Sequence, residues 1–93
     1  MILPQTLVSE YLQNCRSDLT QLKAALSAGE YETAHRLGHQ MKGTGKLYGF
    51  PELTQIGRAI EWAASKRAAP ELDSRIQRLE VCLNSIDLAS EKD

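Results

Sequence analysis

The stretch AHRLGHQMKGTGKLYGF, residues 34–50, carries both histidines of the 93-residue chain and four of its six glycines. Its apolar and small residues recur at spacings of three and four, the pattern of a helix with one buried face. They are Ala34, Leu37, Gly38, Met41, Gly45 and Tyr48. A glycine inside a helix costs about 0.5–1 kcal/mol relative to alanine. The glycines of this stretch therefore indicate a demand other than helix stability.

Three further segments show the same helical periodicity, and none shows the alternation of a half-buried strand. Gly29 ends the first segment, and Pro51 and Pro70 stand at the starts of the third and fourth. The predicted helices span roughly residues 4–28, 30–48, 51–67 and 70–89. Short connections make consecutive helices neighbours. We therefore expect an all-α fold, an antiparallel up-down-up-down four-helix bundle, with one domain over residues 1–93.

Charge and composition exclude several classes of function. Eleven Lys and Arg against twelve Asp and Glu leave a net charge of −1, without a basic block, which disfavours nucleic-acid binding. The absence of a long apolar run and of a secretory signal predicts no membrane contact and a cytoplasmic location. Cys15 and Cys82 lie in apolar stripes and are expected to be free, buried thiols without a chemical role. Because the four stripes can cover one another, we expect a monomer.

His39 falls opposite the apolar arc of the second helix, because each residue advances a helix by about 100°. The same exposed face carries Lys42, one turn later, and Gly43, which has no side chain. A neutral imidazole is a nucleophile. The Lys42 ammonium can pair with phosphoryl oxygens as a point charge, and Gly43 leaves room for a second molecule. This combination indicates phosphoryl chemistry at His39.

Other glycines and the aromatic residues have structural interpretations. Gly38 and Gly45 lie on the buried face of the second helix, where they favour close helix packing. Gly57, in the third predicted helix, is open to two interpretations, helix packing or a docking surface near His39. Three aromatic side chains are interpreted as packing in the bundle or at its end: Tyr48, Phe50 and Trp62.

The run HQMKGTGKLYG, from His39 to Gly49, resembles the signature of the histidine-containing phosphotransfer (HPt) domains of bacterial phosphorelays. That signature is His-x-x-Lys-Gly, then small residues, then a glycine near the helix end. The resemblance covers nearly the whole chain, because HPt domains are four-helix bundles of this size with an exposed histidine on the second helix. It implies that His39 is the phosphoacceptor, Lys42 the neutralising cation and Gly43 the residue that leaves room for the phosphoryl group.

The resemblance also implies a polar side chain on the next helix that bonds the imidazole nitrogen not being phosphorylated. Glu61 looks like the matching residue. It follows Ile60 at the margin of the third apolar stripe, where a side chain can lean toward the neighbouring helix. A carboxylate that accepts the Nδ1 proton of His39 would fix the tautomer and leave Nε2 as the nucleophile.

The function implied by the resemblance is that of a phosphorelay intermediate. His39 would accept a phosphoryl group from a receiver-domain aspartate and pass it to the aspartate of another response regulator. The chain would be a carrier and not an autonomous catalyst, with no cofactor of its own and with Mg²⁺ supplied at the partner receiver. The implied partners are response-regulator receiver domains and a hybrid histidine kinase.

Two alternatives stay open at this point. His35 and His39 form an HxxxH pattern on one helical face, and Glu32 or Glu61 is the available third ligand for a metal. The other alternative is a non-catalytic bundle that docks a partner through an apolar patch independent of His39. The run GTGK, residues 43–46, lacks the spacing and the preceding strand of a phosphate-binding loop.

Overall fold

A computed structural model describes residues 3–91, with side chains through Asp87, and contains four α-helices over that range. They are α1 (Gln5–Ala28), α2 (Tyr31–Thr44), α3 (Pro51–Ser65) and α4 (Ala69–Glu91), with a 3-10 turn at Lys46–Tyr48 between α2 and α3. Residues 3–91 include no strand. Each helix packs against the next in sequence, and α4 closes the ring against α1. The prediction of an all-α four-helix bundle is confirmed.

Short connections with defined caps reverse the chain between helices. Gly29 has a left-handed backbone, with φ 69°, and the Glu30 N–H donates to the Ala25 carbonyl across 2.8 Å. This is the Schellman geometry that glycine favours at a helix C-terminus. After α3 the left-handed residue is Arg67, with φ 52°. Its guanidinium lies 5.5 Å from the centre of the Tyr31 ring. The two reversals place consecutive helices antiparallel.

The second helix ends four residues earlier than the predicted boundary at residue 48. Lys46 N–H donates to the Thr54 hydroxyl across 2.8 Å, and this bond takes the place of a helical one. A side chain on Gly45 would meet the Thr54 backbone nitrogen at 2.5 Å, so the chain runs directly against α3 here. The prediction that Gly45 permits close packing is confirmed, and the same contact explains the early end of α2.

The core between the helices is apolar throughout the described residues, and no polar or charged residue of that range is buried. It contains, among others, Leu22, Leu37, Met41, Leu53, Ile56, Ile60, Leu72, Ile76, Leu79 and Leu83. Tyr11 stacks on Tyr48 at a ring-centre distance of 4.2 Å, and Tyr48 and Phe50 cover the end of the core. The packing interpretation of these two aromatic residues is confirmed.

Trp62 does not pack in the bundle, and that prediction is wrong. The residue is 55% exposed. It lies nine positions after the fully buried Leu53, which at about 100° per residue is half a turn away from it on α3. The indole is therefore on the outer face of the helix.

Two further sequence predictions concern thiols and membranes. Cys15 and Cys82 are free and buried, as expected. Burial raises the pKa of the Cys15 thiol to about 11, so this group is protonated at neutral pH and is a poor nucleophile. Among the helices of the described range, none is both long and apolar enough to cross a membrane.

Candidate functional site

The site rests on an unusually close approach of α2 and α3. A Cβ atom on Gly38 would lie 2.7 Å from the backbone nitrogen of Glu61 and 2.9 Å from the carbonyl oxygen of Gly57. A Cβ atom on Gly57 would in turn collide with the backbone nitrogen of Lys42. The two helix backbones are therefore in contact at this point, which only glycine permits. Of the two interpretations of Gly57, the structure supports helix packing.

This contact brings the side chain of Glu61, on α3, beneath two side chains of α2. Oε2 of Glu61 lies 2.6 Å from Nδ1 of His39, and Oε1 accepts a hydrogen bond from Nζ of Lys42 across 2.7 Å. The Glu61 side chain is only 17% exposed, whereas that of His39 is 64% exposed. One carboxylate therefore bonds to both His39 and Lys42 on their less exposed side, and the imidazole of His39 extends to the surface.

The charge state of Glu61 determines the tautomer of His39. The hydrogen bond from Lys42, helped by the one to His39, lowers the pKa of the Glu61 carboxyl against the opposing effect of burial. An ionised carboxylate can only accept hydrogen bonds, so Nδ1 of His39 must be the donor. In a neutral ring Nε2 then carries the lone pair. No hydrogen bond to Nε2 occurs within the described part of the chain.

The lowered pKa of Glu61 predicts a pH-dependent contribution to stability. The contribution is fully present above the ordinary carboxyl value of 4.5 and is lost as the pH falls through the lower folded-state pKa. Wild type and Glu61→Gln are therefore expected to differ in free energy of unfolding at pH 7, with the difference shrinking as the pH falls below 4.5 and through the lowered folded-state pKa of Glu61.

Urea denaturation at a series of pH values measures this difference. Glu10→Gln is the matched control, since Glu10 is exposed and makes no ion pair or side-chain hydrogen bond in the range that the structure describes. A difference between wild type and Glu61→Gln that grows as the pH falls would contradict the assignment of an ionised, bonded Glu61.

Gly43 and His35 complete the surroundings of His39. A Cβ atom on Gly43 would meet nothing within 4 Å, so the surface one turn from His39 is open. Nε2 of His35 lies 3.9 Å from Oε2 of Glu61, beyond hydrogen-bond distance, with the His35 side chain 46% exposed. The structure thus brings His39, Lys42 and Glu61 into direct contact, with Gly43 beside them and His35 at the edge.

The metal hypothesis lacks support in this geometry. Across the described residues, no group of three His, Cys, Asp or Glu side chains is placed to hold a metal ion. Of the HxxxH pair, His39 contacts Oε2 of Glu61 through Nδ1 at 2.6 Å, whereas Nε2 of His35 lies 3.9 Å from the same oxygen. Lys42 occupies the other oxygen of that carboxylate, where a metal would compete with a bound cation.

Sequence reasoning missed the ion pair between Lys42 and Glu61. It treated Lys42 as a cation reserved for a phosphoryl group, whereas the structure gives that ammonium a carboxylate partner within the protein. The signal was present, because Lys42 and His39 are three residues apart on one flank of α2. A side chain from α3 that reaches His39 is therefore also within reach of Lys42.

The structure is a four-helix bundle with a surface histidine that is hydrogen-bonded to a carboxylate, as the resemblance to HPt domains implied. Comparison with protein families points to the same class of protein. The Hpt domain family matches residues 6–91 of the 93-residue chain. The chain belongs to the Hpt domain family, and its role is phosphotransfer in phosphorelay signalling with response-regulator and kinase partners. Searches of curated proteins and of solved structures gave no significant match.

Proposed function

We propose that His39 is the phosphoacceptor and that it carries a phosphoryl group between the aspartates of two receiver domains. The observation that supports this role is the 2.6 Å contact between Nδ1 of His39 and Glu61, which leaves Nε2 of the largely exposed ring without a hydrogen bond to any described residue. In the first transfer the Nε2 lone pair attacks phosphorus, and the bond from phosphorus to the donor aspartate oxygen breaks. The donor leaves as a free carboxylate, and the second transfer reverses these steps on another receiver.

Glu61 acts on the charge that this reaction creates. When Nε2 bonds to phosphorus, the ring keeps its Nδ1 proton and acquires positive charge. A carboxylate already bonded to that proton stabilises the charged ring without rearrangement. Its second oxygen is held by Lys42, so Glu61 is positioned before the partner arrives.

Lys42 has a second task after transfer. Its ammonium has three N–H donors, of which one bonds Oε1 of Glu61. The other two remain for oxygens of a phosphoryl group on the neighbouring Nε2, where they reduce its charge. Gly43 leaves the approach to this nitrogen open. The chain supplies no cofactor in this scheme, and Mg²⁺ is bound by the receiver.

The donor and acceptor in this proposal are receiver domains, one of them part of a hybrid histidine kinase and the other part of a response regulator. In this proposal the chain acts in the cytoplasm, and it acts as a monomer because the core side chains of its four helices cover one another within one bundle. The receiver brings the metal and most of the catalytic groups. The bundle contributes a nucleophile of fixed tautomer and a fixed position.

Transfer between purified domains tests the proposal. A panel of receiver domains is phosphorylated with a small phosphodonor in Mg²⁺, freed of the donor and mixed with the chain. We expect phosphate to leave at least one receiver and to appear on the chain as an acid-labile, base-stable adduct. If every receiver keeps its phosphate, or if the adduct is acid-stable, a phosphohistidine carrier is excluded.

Lys42→Ala is expected to slow transfer by about ten- to hundredfold without unfolding the bundle. The variant removes a charge that stabilises the transferring group and also releases Glu61, and removal of one such group typically costs this much or more. Rapid-quench measurement of transfer from a phosphorylated receiver gives the rate. Lys46→Ala is the matched control, because Lys46 is exposed just beyond α2 and has no described ion pair. Equal rates in the two variants would show that the Lys42 charge is incidental.

A further inference from the structure

The exposed indole of Trp62 lies in a groove between α3 and α4. The groove has a volume of about 350 Å³ and is lined by Gln55, Arg58, Ala59, Trp62 and Arg75. Four of these residues belong to α3, and Arg75 comes from α4. A large aromatic residue that is 55% exposed is unusual in a bundle whose other described aromatic rings pack against one another or the core. The exposure of Trp62 therefore indicates a role in binding another molecule and not in core packing.

The groove is positively charged. Arg58 and Arg75 make no ion pair and no side-chain hydrogen bond with any described residue, and no carboxylate lines the groove. By contrast, Arg16 and Lys23 of α1 both pair with carboxylates of α4. In a chain with net charge −1, two unpaired guanidinium groups therefore flank one exposed indole. Trp and Arg are, with Tyr, the residue types most enriched among those that dominate binding energy.

The groove is also within reach of a partner bound at His39. Trp62 follows Glu61 directly, and Arg58 lies one helical turn before Glu61. Neighbouring helix axes are about 8–10 Å apart. A standard interface covers about 800 Å² on each partner, which as a circle has a radius of about 16 Å. A partner centred on His39 of α2 therefore extends across α3 to the groove.

We propose that this groove determines which receiver domain the chain accepts. The inference rests on the proposed function, because it takes the partner at His39 to be a receiver. The groove would bind an apolar side chain of the receiver surface against Trp62, with acidic side chains beside it paired to Arg58 and Arg75. The receiver is chosen as the occupant because the groove carries only positive charge and because Arg58 and Trp62 adjoin Glu61 along α3, within the area that a partner centred on His39 would cover.

The probe is a purified receiver domain with which the wild-type chain exchanges phosphoryl groups. Single-turnover transfer from an excess of the phosphorylated receiver, at a series of receiver concentrations, is measured for Trp62→Ala and for a double variant, Arg58→Glu with Arg75→Glu. KM is here the half-saturating receiver concentration, and kcat is the maximal transfer rate. We expect Trp62→Ala to raise the KM for the receiver by about tenfold or more. We expect the double variant to raise KM further. The KM of wild type should increase with salt, and this increase should be absent in the double variant. In both variants kcat should change by no more than about twofold.

Two controls match these variants on α4, outside the groove. Val81→Ala truncates an exposed apolar side chain, and Arg78→Glu reverses an exposed charge. Both are expected to leave KM within about twofold of wild type. Direct phosphorylation of His39 by phosphoramidate, which needs no partner, should proceed equally in all variants.

The possible outcomes distinguish a failure of the groove proposal from a failure of the proposed role of His39. If Trp62→Ala and the double variant keep the KM of their controls while wild type transfers normally, the groove proposal is overturned and the role of His39 stands. If no receiver exchanges with wild type, the proposed function fails first. A raised KM together with an unchanged phosphoramidate rate supports receiver selection by the groove.

Discussion

Replacement of His39 by alanine is expected to reduce phosphoryl acceptance from receiver domains to background while the helical content stays unchanged. His39 supplies the nucleophile in the proposed reaction, and its imidazole is largely exposed, so its removal leaves no cavity in the core. The loss of the Nδ1 contact leaves Glu61 with its second partner, Lys42. The fold should therefore survive the substitution.

His35→Ala is the matched control for this experiment. His35 lies one turn earlier on the same face of α2, but its ring stands 3.9 Å from Glu61 and makes no hydrogen bond to it. Transfer to this variant should stay within about twofold of wild type. The measurement is receiver-to-chain transfer followed on acid-free gels, with circular dichroism of each variant. Phosphorylation retained in His39→Ala and lost in His35→Ala would assign the role to the other histidine.

Gly57→Ala is expected to destabilise the bundle, whereas Gly43→Ala is expected to stabilise it. Both glycines lie inside helices, where alanine is intrinsically better by about 1 kcal/mol. On Gly57 the added methyl group would collide with the backbone of α2 at Lys42 and Gly38, and an overpacked contact costs about 1–3 kcal/mol. On Gly43 the methyl group enters open space. The pair thus separates a packing glycine from an exposed one.

Chemical denaturation of the two variants and wild type gives the free energies of unfolding. The same proteins, tested for transfer, report on the site, because separation of α2 from α3 moves Glu61 away from His39. We expect slower transfer in Gly57→Ala even under conditions where it is folded. Stabilisation by Gly57→Ala comparable to that by Gly43→Ala would contradict the close backbone contact on which the site depends.

The architecture and the exposure of His39 follow from helical periodicity, which is a property of the sequence itself. Four separate apolar stripes leave few arrangements other than a bundle, and a residue opposite such a stripe must be near solvent. For Glu61, the resemblance to HPt domains supplied the candidate, and its place at the margin of the α3 stripe, which directs the side chain toward a neighbouring helix, supported it. The predictions from periodicity depend on angles around single helices and need no knowledge of distances between them.

The features that escaped prediction depend on contacts between helices. The end of α2 at Thr44 results from the bond between Lys46 N–H and the Thr54 hydroxyl, which periodicity within α2 cannot reveal. Lys42 can pair with Glu61 because Gly38 and Gly57 allow the backbones of α2 and α3 to come into contact. Aromatic character suggested burial for Trp62, although its angular position on α3 already indicated the outer face.

The position of the phosphoryl group on the imidazole decides whether Nε2 of His39 is the phosphoacceptor. The chain is labelled with ¹⁵N in its histidines, phosphorylated by a receiver domain, and examined by ³¹P and long-range ¹H–¹⁵N NMR. Because Nδ1 of His39 donates its proton in a hydrogen bond to Glu61, we predict a single phosphohistidine at His39 with phosphorus on Nε2 and with Nδ1 still protonated. Phosphorus on Nδ1, or on either nitrogen of His35, would contradict it.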